Sequence, residues 1–214
     1  VHNTYFTLPV LIAMLSNHYS FLYSHPQRWL VLVLMMLAGA LMLAACAVPL
    51  RLENGKLSPP PGHGYVIAAI TLNSLDQHYP DAGIELVGPA GEIRLEARPY
   101  MDFIRAPGDE PDGNGKLHVV ALPAGRYRVS ELYGSWLDDW IGWRQLDRFP
   151  LDERFELAPG EVIYLGQYHI SLDFMPSYTR TDMRRRDFNE LKARRGVSDF
   201  SNIGAYIPPT PTRQ

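Results

Sequence analysis

One cysteine, Cys46, stands among the 214 residues, directly after the small residues Ala44 and Ala45. A single thiol can form one thioether or thioester bond. It supplies no disulfide framework, no CxxC redox pair and no cysteine-rich zinc or iron–sulfur site. The other unusual segment is SWLDDWIGW, which places Trp136, Trp140 and Trp143 around Asp138 and Asp139. Indole faces stack on sugar rings while carboxylates accept hydrogen bonds from hydroxyls, a combination suited to a glycan. The same indoles are equally suited to capping the end of a small core, so both readings stand at this level. Neighbouring residues on a strand point to opposite faces, so Asp138 and Asp139 do not form the facing acid pair of a glycosidase.

The remaining candidates are weaker. The loop APGDEPDGNG (106–115) is acidic and glycine-rich, but it lacks the spacing and closing glutamate of a calcium-binding loop and reads as a solvated connection. His63, His78, His118 and His169 are scattered without HxxxH or HExxH spacing, so no metal site is expected. No GxSxG, GxGxxG or P-loop pattern occurs, and no catalytic nucleophile can be nominated. Arg184, Arg185 and Arg186 begin a basic run that extends to Arg195. It reads as a solvated helix face, with attraction to anionic head groups or another acidic surface as the alternative. A net charge of −3 on an exported domain makes nucleic acid a poor partner.

The elements that position these groups begin with a targeting segment. All 23 acidic residues lie beyond position 50, and Trp29 to Leu50 are 22 consecutive uncharged residues led in by Arg28. A charged flank, an apolar stretch and then small residues mark a secretory signal. Its end, Leu43-Ala44-Ala45-Cys46, resembles the lipobox of bacterial lipoproteins. That resemblance implies cleavage before Cys46 and a covalent lipid on its thiol, with no other cofactor. Ala47, rather than aspartate, after the cysteine implies outer-membrane sorting, facing the periplasm, in a Gram-negative host. The alternative is an uncleaved single-pass inner-membrane anchor, because the run is long enough to cross roughly 30 Å of hydrocarbon. Residues 1–24 are long for a signal n-region, which points to a misassigned start with Met14 as one candidate.

Residues 46–64 contain Pro59-Pro60-Pro61 and read as an extended, lipidated tether. Residues 65–174 carry short apolar runs separated by proline and glycine, beginning with YVIAAITL. Residues 82–97 predict a hairpin with Ile84, Leu86, Ile93 and Leu95 on one side and Pro89 and Gly91 in the turn. A second hairpin is expected over 116–133, around Pro123-Ala124-Gly125. In the strand after Ala158-Pro159-Gly160, alternation places Val162, Tyr164, Tyr168, Ile170, Leu172 and Phe174 on a buried face and Gln167, His169 and Ser171 on a wet one. The expected fold is mainly β: an antiparallel β-sandwich of about seven or more strands, with a signal or anchor helix before it and a short helix after it. The pair LPAGRYRVSELYG and LAPGEVIYLGQYHISLD is similar to the late strands of prealbumin-like sandwiches of the carboxypeptidase regulatory type, and to small bacterial lipoproteins of unknown function. That resemblance implies a fold and no catalytic centre.

Residues 175–214 differ in character. Seven basic and three acidic residues fall within 180–195, where Thr181 is the expected N-cap, Met183, Phe188 and Leu191 form a narrow apolar stripe, and Gly196 ends the helix. The tail SNIGAYIPPTPTRQ is expected to be extended or disordered. Together these features predict a membrane-anchored envelope lipoprotein with a non-catalytic binding or assembly module, its partner an envelope protein or glycan and its oligomeric state open. The alternative is an envelope glycan-processing or hydrolytic enzyme with its site near Trp136–Trp143.

Overall fold

The computed structural model describes residues 50–74, 79–108, 110–138, 142–145, 149–173 and 177–206; the expected signal or anchor helix and Cys46 lie outside them. The described chain is mainly β, in several sheets, with one helix among these residues. A small hairpin, β1 (Leu52–Glu53) and β2 (Lys56–Leu57), precedes two larger sheets. The first has the order β10 (Phe149–Leu157), β8 (Gly125–Asp138), β4 (Asp81–Gly88), β5 (Gly91–Ala97), with β9 (Gly142–Gln145) paired to the end of β8. The second has the order β12 (Ser177–Thr181), β11 (Val162–Ser171), β3 (His63–Asn73), β7 (Gly113–Pro123), β6 (Phe103–Ile104), and β13 (Ile203–Ala205) pairs with β11. Helix α1 spans Arg184–Arg195.

The near-continuous apolar run of β3 is the signature of a strand buried on both faces. Val66, Ala68, Ile70 and Leu72 enter one core with Ile84, Leu86, Val129 and Leu132 of the first sheet. Tyr65, Ile67 and Ala69 enter a second core with Leu57, Leu191 and Val197. The second sheet is therefore a middle layer, covered on its far side by α1 and the chain segments around it.

Several expectations are corrected here. Strands are not antiparallel throughout, because β3 and β11 pair in parallel, as do β11 and β13. The 82–97 hairpin forms as expected, with Ile84 opposite Leu95 and Leu86 opposite Ile93. Residues 116–133 do not form a hairpin: β7 pairs with β3 and β6, whereas β8 pairs with β10, β4 and β9. Pro123-Ala124-Gly125 is instead an arch between sheets, pinned by Ala124 N–H to the Gly62 carbonyl (2.9 Å) and by the Tyr127 hydroxyl to the Pro123 carbonyl (2.7 Å). Simple alternation also fails in β11. Gly166, at φ +92°, sits at a register shift between Tyr164 and Gln167. Before this bulge Val162 and Tyr164 face the second core; after it Tyr168 and Ile170 face the first. One extra residue exchanges the faces.

The tether expectation changes as well. From Leu50 the chain is docked, with Arg51 N–H donating to the Tyr65 hydroxyl (3.0 Å) and Leu57 1% exposed. Leu57 and the carbonyl it offers to Asn202 Nδ2 (2.7 Å) give this segment a packing role that its proline content concealed. Residues 203–206 of the tail are likewise docked, through β13 and Tyr206 N–H to the Tyr164 carbonyl.

His118 on β7 ties the two sheets together, its Nε2–H donating to the Glu96 carbonyl of β5 (3.0 Å). Burial pushes its pKa down to about 4 from the usual 6.5. Between these values the unfolded chain binds a proton that the folded one refuses, so stability falls as pH drops through this window. The expected loss is on the order of 3 kcal/mol below pH 4. A His118→Gln variant, whose amide still donates, should lack this contribution, and urea unfolding at a series of pH values from 7 to 4 compares the two slopes.

Candidate functional site

The β8–β9 ribbon carries the tryptophan segment beyond Asp81, the first residue of β4, which pairs with Ser135. Its register sets Trp136 opposite Arg144 and Leu137 opposite Trp143. Cross-strand partners share a face, so Trp136 and Trp143 point to opposite sides of the ribbon. Trp136 packs against the first core, whereas Trp143 is 64% exposed. The two do not form one aromatic platform. Asp138 closes β8, while Asp139 and Trp140 lie outside the described residues, as do Leu43, Ala44, Ala45 and Cys46.

A different aromatic group occupies the same pole of the molecule, where β3, β5, β8 and β11 end and β4 begins. Tyr79 and Tyr100 meet edge to face, 5.5 Å between ring centroids at 86°, and both are more than half exposed. Tyr79 has φ +52° and precedes Pro80, a conformation that costs a non-glycine residue free energy, the more so before proline. Tyr100 sits on a tightly bonded loop: Asp102 Oδ2 accepts from Arg98 N–H (2.9 Å), and Met101 and Asp102 N–H both donate to the Arg98 carbonyl. Lys116 Nζ lies 3.5 Å from Asp102 Oδ1, and Gly115 N–H donates to the Asp102 carbonyl. Beside Tyr100 opens a cavity of about 330 Å³ walled by Leu72, Pro80 and Pro99, with Asn73, Ser74 and Asn114 supplying polar groups. Asn73 Nδ2 donates to Asp173 Oδ2 (2.8 Å), and Asp173 Oδ1 is buried without a partner among the described residues. Sequence reasoning passed over these tyrosines. Their signal was Tyr79-Pro80 and Pro99-Tyr100, aromatics set against proline in connections where little can bury them.

His78 lies outside the described residues, and the other candidates are absorbed by the structure. In the acidic loop, Asp112 Oδ1 accepts from Ala106 N–H (2.5 Å) and Glu110 pairs with Arg185 (3.0 Å). Among the described residues no group of three or more His, Cys, Asp or Glu could hold a metal ion. His63 bonds to the Pro61 carbonyl and His169 Nδ1 to Thr71 Oγ1 (2.9 Å), each a local pairing. Burial lowers the pKa of His169, and the nearby Arg186 cation lowers it further.

Most of the basic run is a solvated face, with Arg184, Arg185, Lys192, Arg194 and Arg195 exposed, but Arg186 departs from it. Arg186 is 3% exposed and Asp187 fully buried. Arg186 Nε and Nη2 donate to Asp187 Oδ1 (2.9 and 2.7 Å), and the Tyr164 hydroxyl donates to Asp187 Oδ2 (2.5 Å). Burial raises the Asp187 pKa, while Arg186 and Tyr164 draw it back. Helix α1 thus docks through a polar cluster as well as through Leu191 and Phe188, whose ring stacks on Phe200 (4.9 Å). Thr181 does not cap it, because Ser177–Thr181 pairs with β11 and the helix starts later, with Met183 at the N-cap and no side-chain cap bond. Gly196 does end it, in the left-handed conformation (φ +72°) that closes a helix on its own carbonyls.

Among known proteins, residues 1–50 match the urate oxidase N-terminal family, and the match ends where the described β-rich part begins. No curated protein matches the chain. Among solved structures, the chain is similar to a Gram negative toxin, with 11% identity over 57% of this chain and 23% of that one and a TM-score of 0.21. It is similar at the same level to pneumolysin, with 11% identity, 56% and 23% coverage and a TM-score of 0.20. The chain spans about a quarter of the length of these proteins, and superpositions this slight bear on neither fold nor function.

Proposed function

We propose that this chain is a membrane-anchored envelope lipoprotein whose β-rich part is a non-catalytic binding module. The observation that carries the reading is the close spacing of the lipobox-like Cys46 and the point at which the chain becomes docked, at Leu50 and Arg51. A chain advances at most about 3.6 Å per residue, so acyl groups on Cys46 would hold the module within roughly 20 Å of the bilayer. Two or three acyl chains make such an anchor stable where one would be marginal. Among the described residues no helix is long and apolar enough to cross a membrane. The finer fold we propose is a prealbumin-like β-sandwich. Two sheets sharing one core support it, as does the Tyr127 hydroxyl bonded four residues back across the arch, a corner found in Greek-key sandwiches.

Intact mass spectrometry of the membrane-extracted protein tests the anchor. The expected mass is that of a chain beginning at Cys46 plus its acyl groups, lost in a Cys46→Ser variant. An unacylated mass retaining Trp29–Leu50 would overturn the lipid anchor in favour of a single-pass helix. Sucrose-gradient fractionation, with the protein expected in the outer membrane, tests the sorting implied by Ala47.

A further inference from the structure

The pole that carries Tyr79 and Tyr100 lies past the Asn73 end of β3, whereas Arg51 N–H bonds to the hydroxyl of Tyr65 near the start of that strand. Here the structure spends free energy for little packing, the edge-to-face contact of Tyr79 with Tyr100. Tyr79 holds an unfavourable backbone conformation, yet its ring is 56% exposed. Such strain persists only where the surroundings enforce it, and it concentrates at binding sites. The loop presenting Tyr100 is fixed by the Arg98 and Asp102 bonds, and prolines wall the cavity on either side. A rigid aromatic rim loses little entropy on binding.

The lining decides the ligand class. Among the described residues no charged side chain lines the cavity; Arg98 is engaged with Glu96 (2.8 Å), Asp102 lies against Lys116 (3.5 Å), and the Asp173 carboxylate accepts from Asn73 (2.8 Å). Phosphates and carboxylates would therefore find no counter-charge among the described residues of its walls. The amides of Asn73 and Asn114 and the Ser74 hydroxyl both donate and accept, which matches a ligand rich in hydroxyls. The volume is at the small end for ligand sites, suiting a single ring with one edge left in solvent. We infer that this cavity binds one ring of a neutral pyranose saccharide, stacked on Tyr100 with its hydroxyls read by Asn73, Ser74 and Asn114. This rests on the binding-module reading and extends it.

The test uses the whole chain extracted in a sugar-free detergent, with N,N′-diacetylchitobiose and maltose as probes, followed by saturation-transfer NMR and calorimetric titration. At least one probe should bind, and Tyr100→Ala and Asn114→Ala should each weaken it tenfold or more. Trp143→Ala, at the same pole but away from the cavity, should leave affinity within twofold. Circular dichroism checks that each variant is folded, and either of the two cavity variants is sufficient. Failure of both probes to bind, or binding lost in Trp143→Ala and retained in Tyr100→Ala, overturns the assignment. Neither result touches the anchor, which the mass of the Cys46→Ser variant decides separately. Cleavage of a bound probe would leave the cavity assignment standing and overturn the non-catalytic reading.

Discussion

Replacing Asp187 with alanine is expected to lower the unfolding free energy by about 3–5 kcal/mol, the range for removing one partner of a buried ion pair. The substitution would strand the Arg186 guanidinium, 3% exposed, and remove the acceptor of the Tyr164 hydroxyl. Neither group can turn to water, since Phe188 packs against Tyr164 (5.6 Å) and Gly113 leaves an added Cβ only 2.7 Å from Arg186 Nη1. Urea unfolding followed by tryptophan fluorescence measures the loss. A compensating double variant, Arg186→Met with Asp187→Leu, should recover most of it, because two apolar groups of similar volume avoid the desolvation of the charges. If Asp187→Ala costs less than about 1 kcal/mol, the value of an ordinary hydrogen bond, the cluster does not hold the helix.

Arg180→Ala is expected to be comparably severe, about 3–5 kcal/mol by the same rule. Arg180 projects from β12 and is 8% exposed in its side chain. It pairs with Glu153 of β10, donates through Nε to the Leu165 carbonyl (2.9 Å) and through Nη2 to the Tyr206 carbonyl (2.8 Å), and lies 4.9 Å from the centre of the Tyr168 ring. Tyr168 completes the circuit by donating to Glu153 Oε2 (2.7 Å). One side chain therefore fastens both sheets and the C-terminal strand. Lysine should recover only part of the loss, because an ammonium lacks the planar fork that reaches several acceptors at once. A second readout is specific to this arrangement: without Arg180 the Tyr206 carbonyl loses its donor, and limited proteolysis around Ile203–Tyr206 should accelerate.

These two clusters show where sequence reading succeeded and where it stopped. The 82–97 hairpin was legible because strand alternation and turn residues agree over a short span, and its register follows from them. The Pro123-Ala124-Gly125 turn had the same local chemistry but joins different sheets, because partner choice depends on which strands already flank β3. Alternation in β11 misled at Gly166, since a bulge changes the period without changing composition. The solvated reading of the arginine run holds at Arg184, Arg185, Arg194 and Arg195 and fails at Arg186, because charge alone does not reveal a buried partner one residue away.

For the recognition pole, the sequence drew notice to the tryptophans, whose size makes them conspicuous, and passed over tyrosines that only the fold assembles. Tyr79 and Tyr100 are separated by two strands and meet because β4 and β5 are neighbours. By itself the sequence determined the β-rich class, the short C-terminal helix with its glycine stop, and the Cys46 environment on which the proposed anchor rests. All of these depend on residues close together in the chain. The tertiary structure alone decided the parallel pairing of β3 with β11, the polar docking of α1 and the cavity beside Tyr100. Each brings together residues far apart in sequence, whose pairing depends on the packing of the whole domain and leaves no local periodic trace.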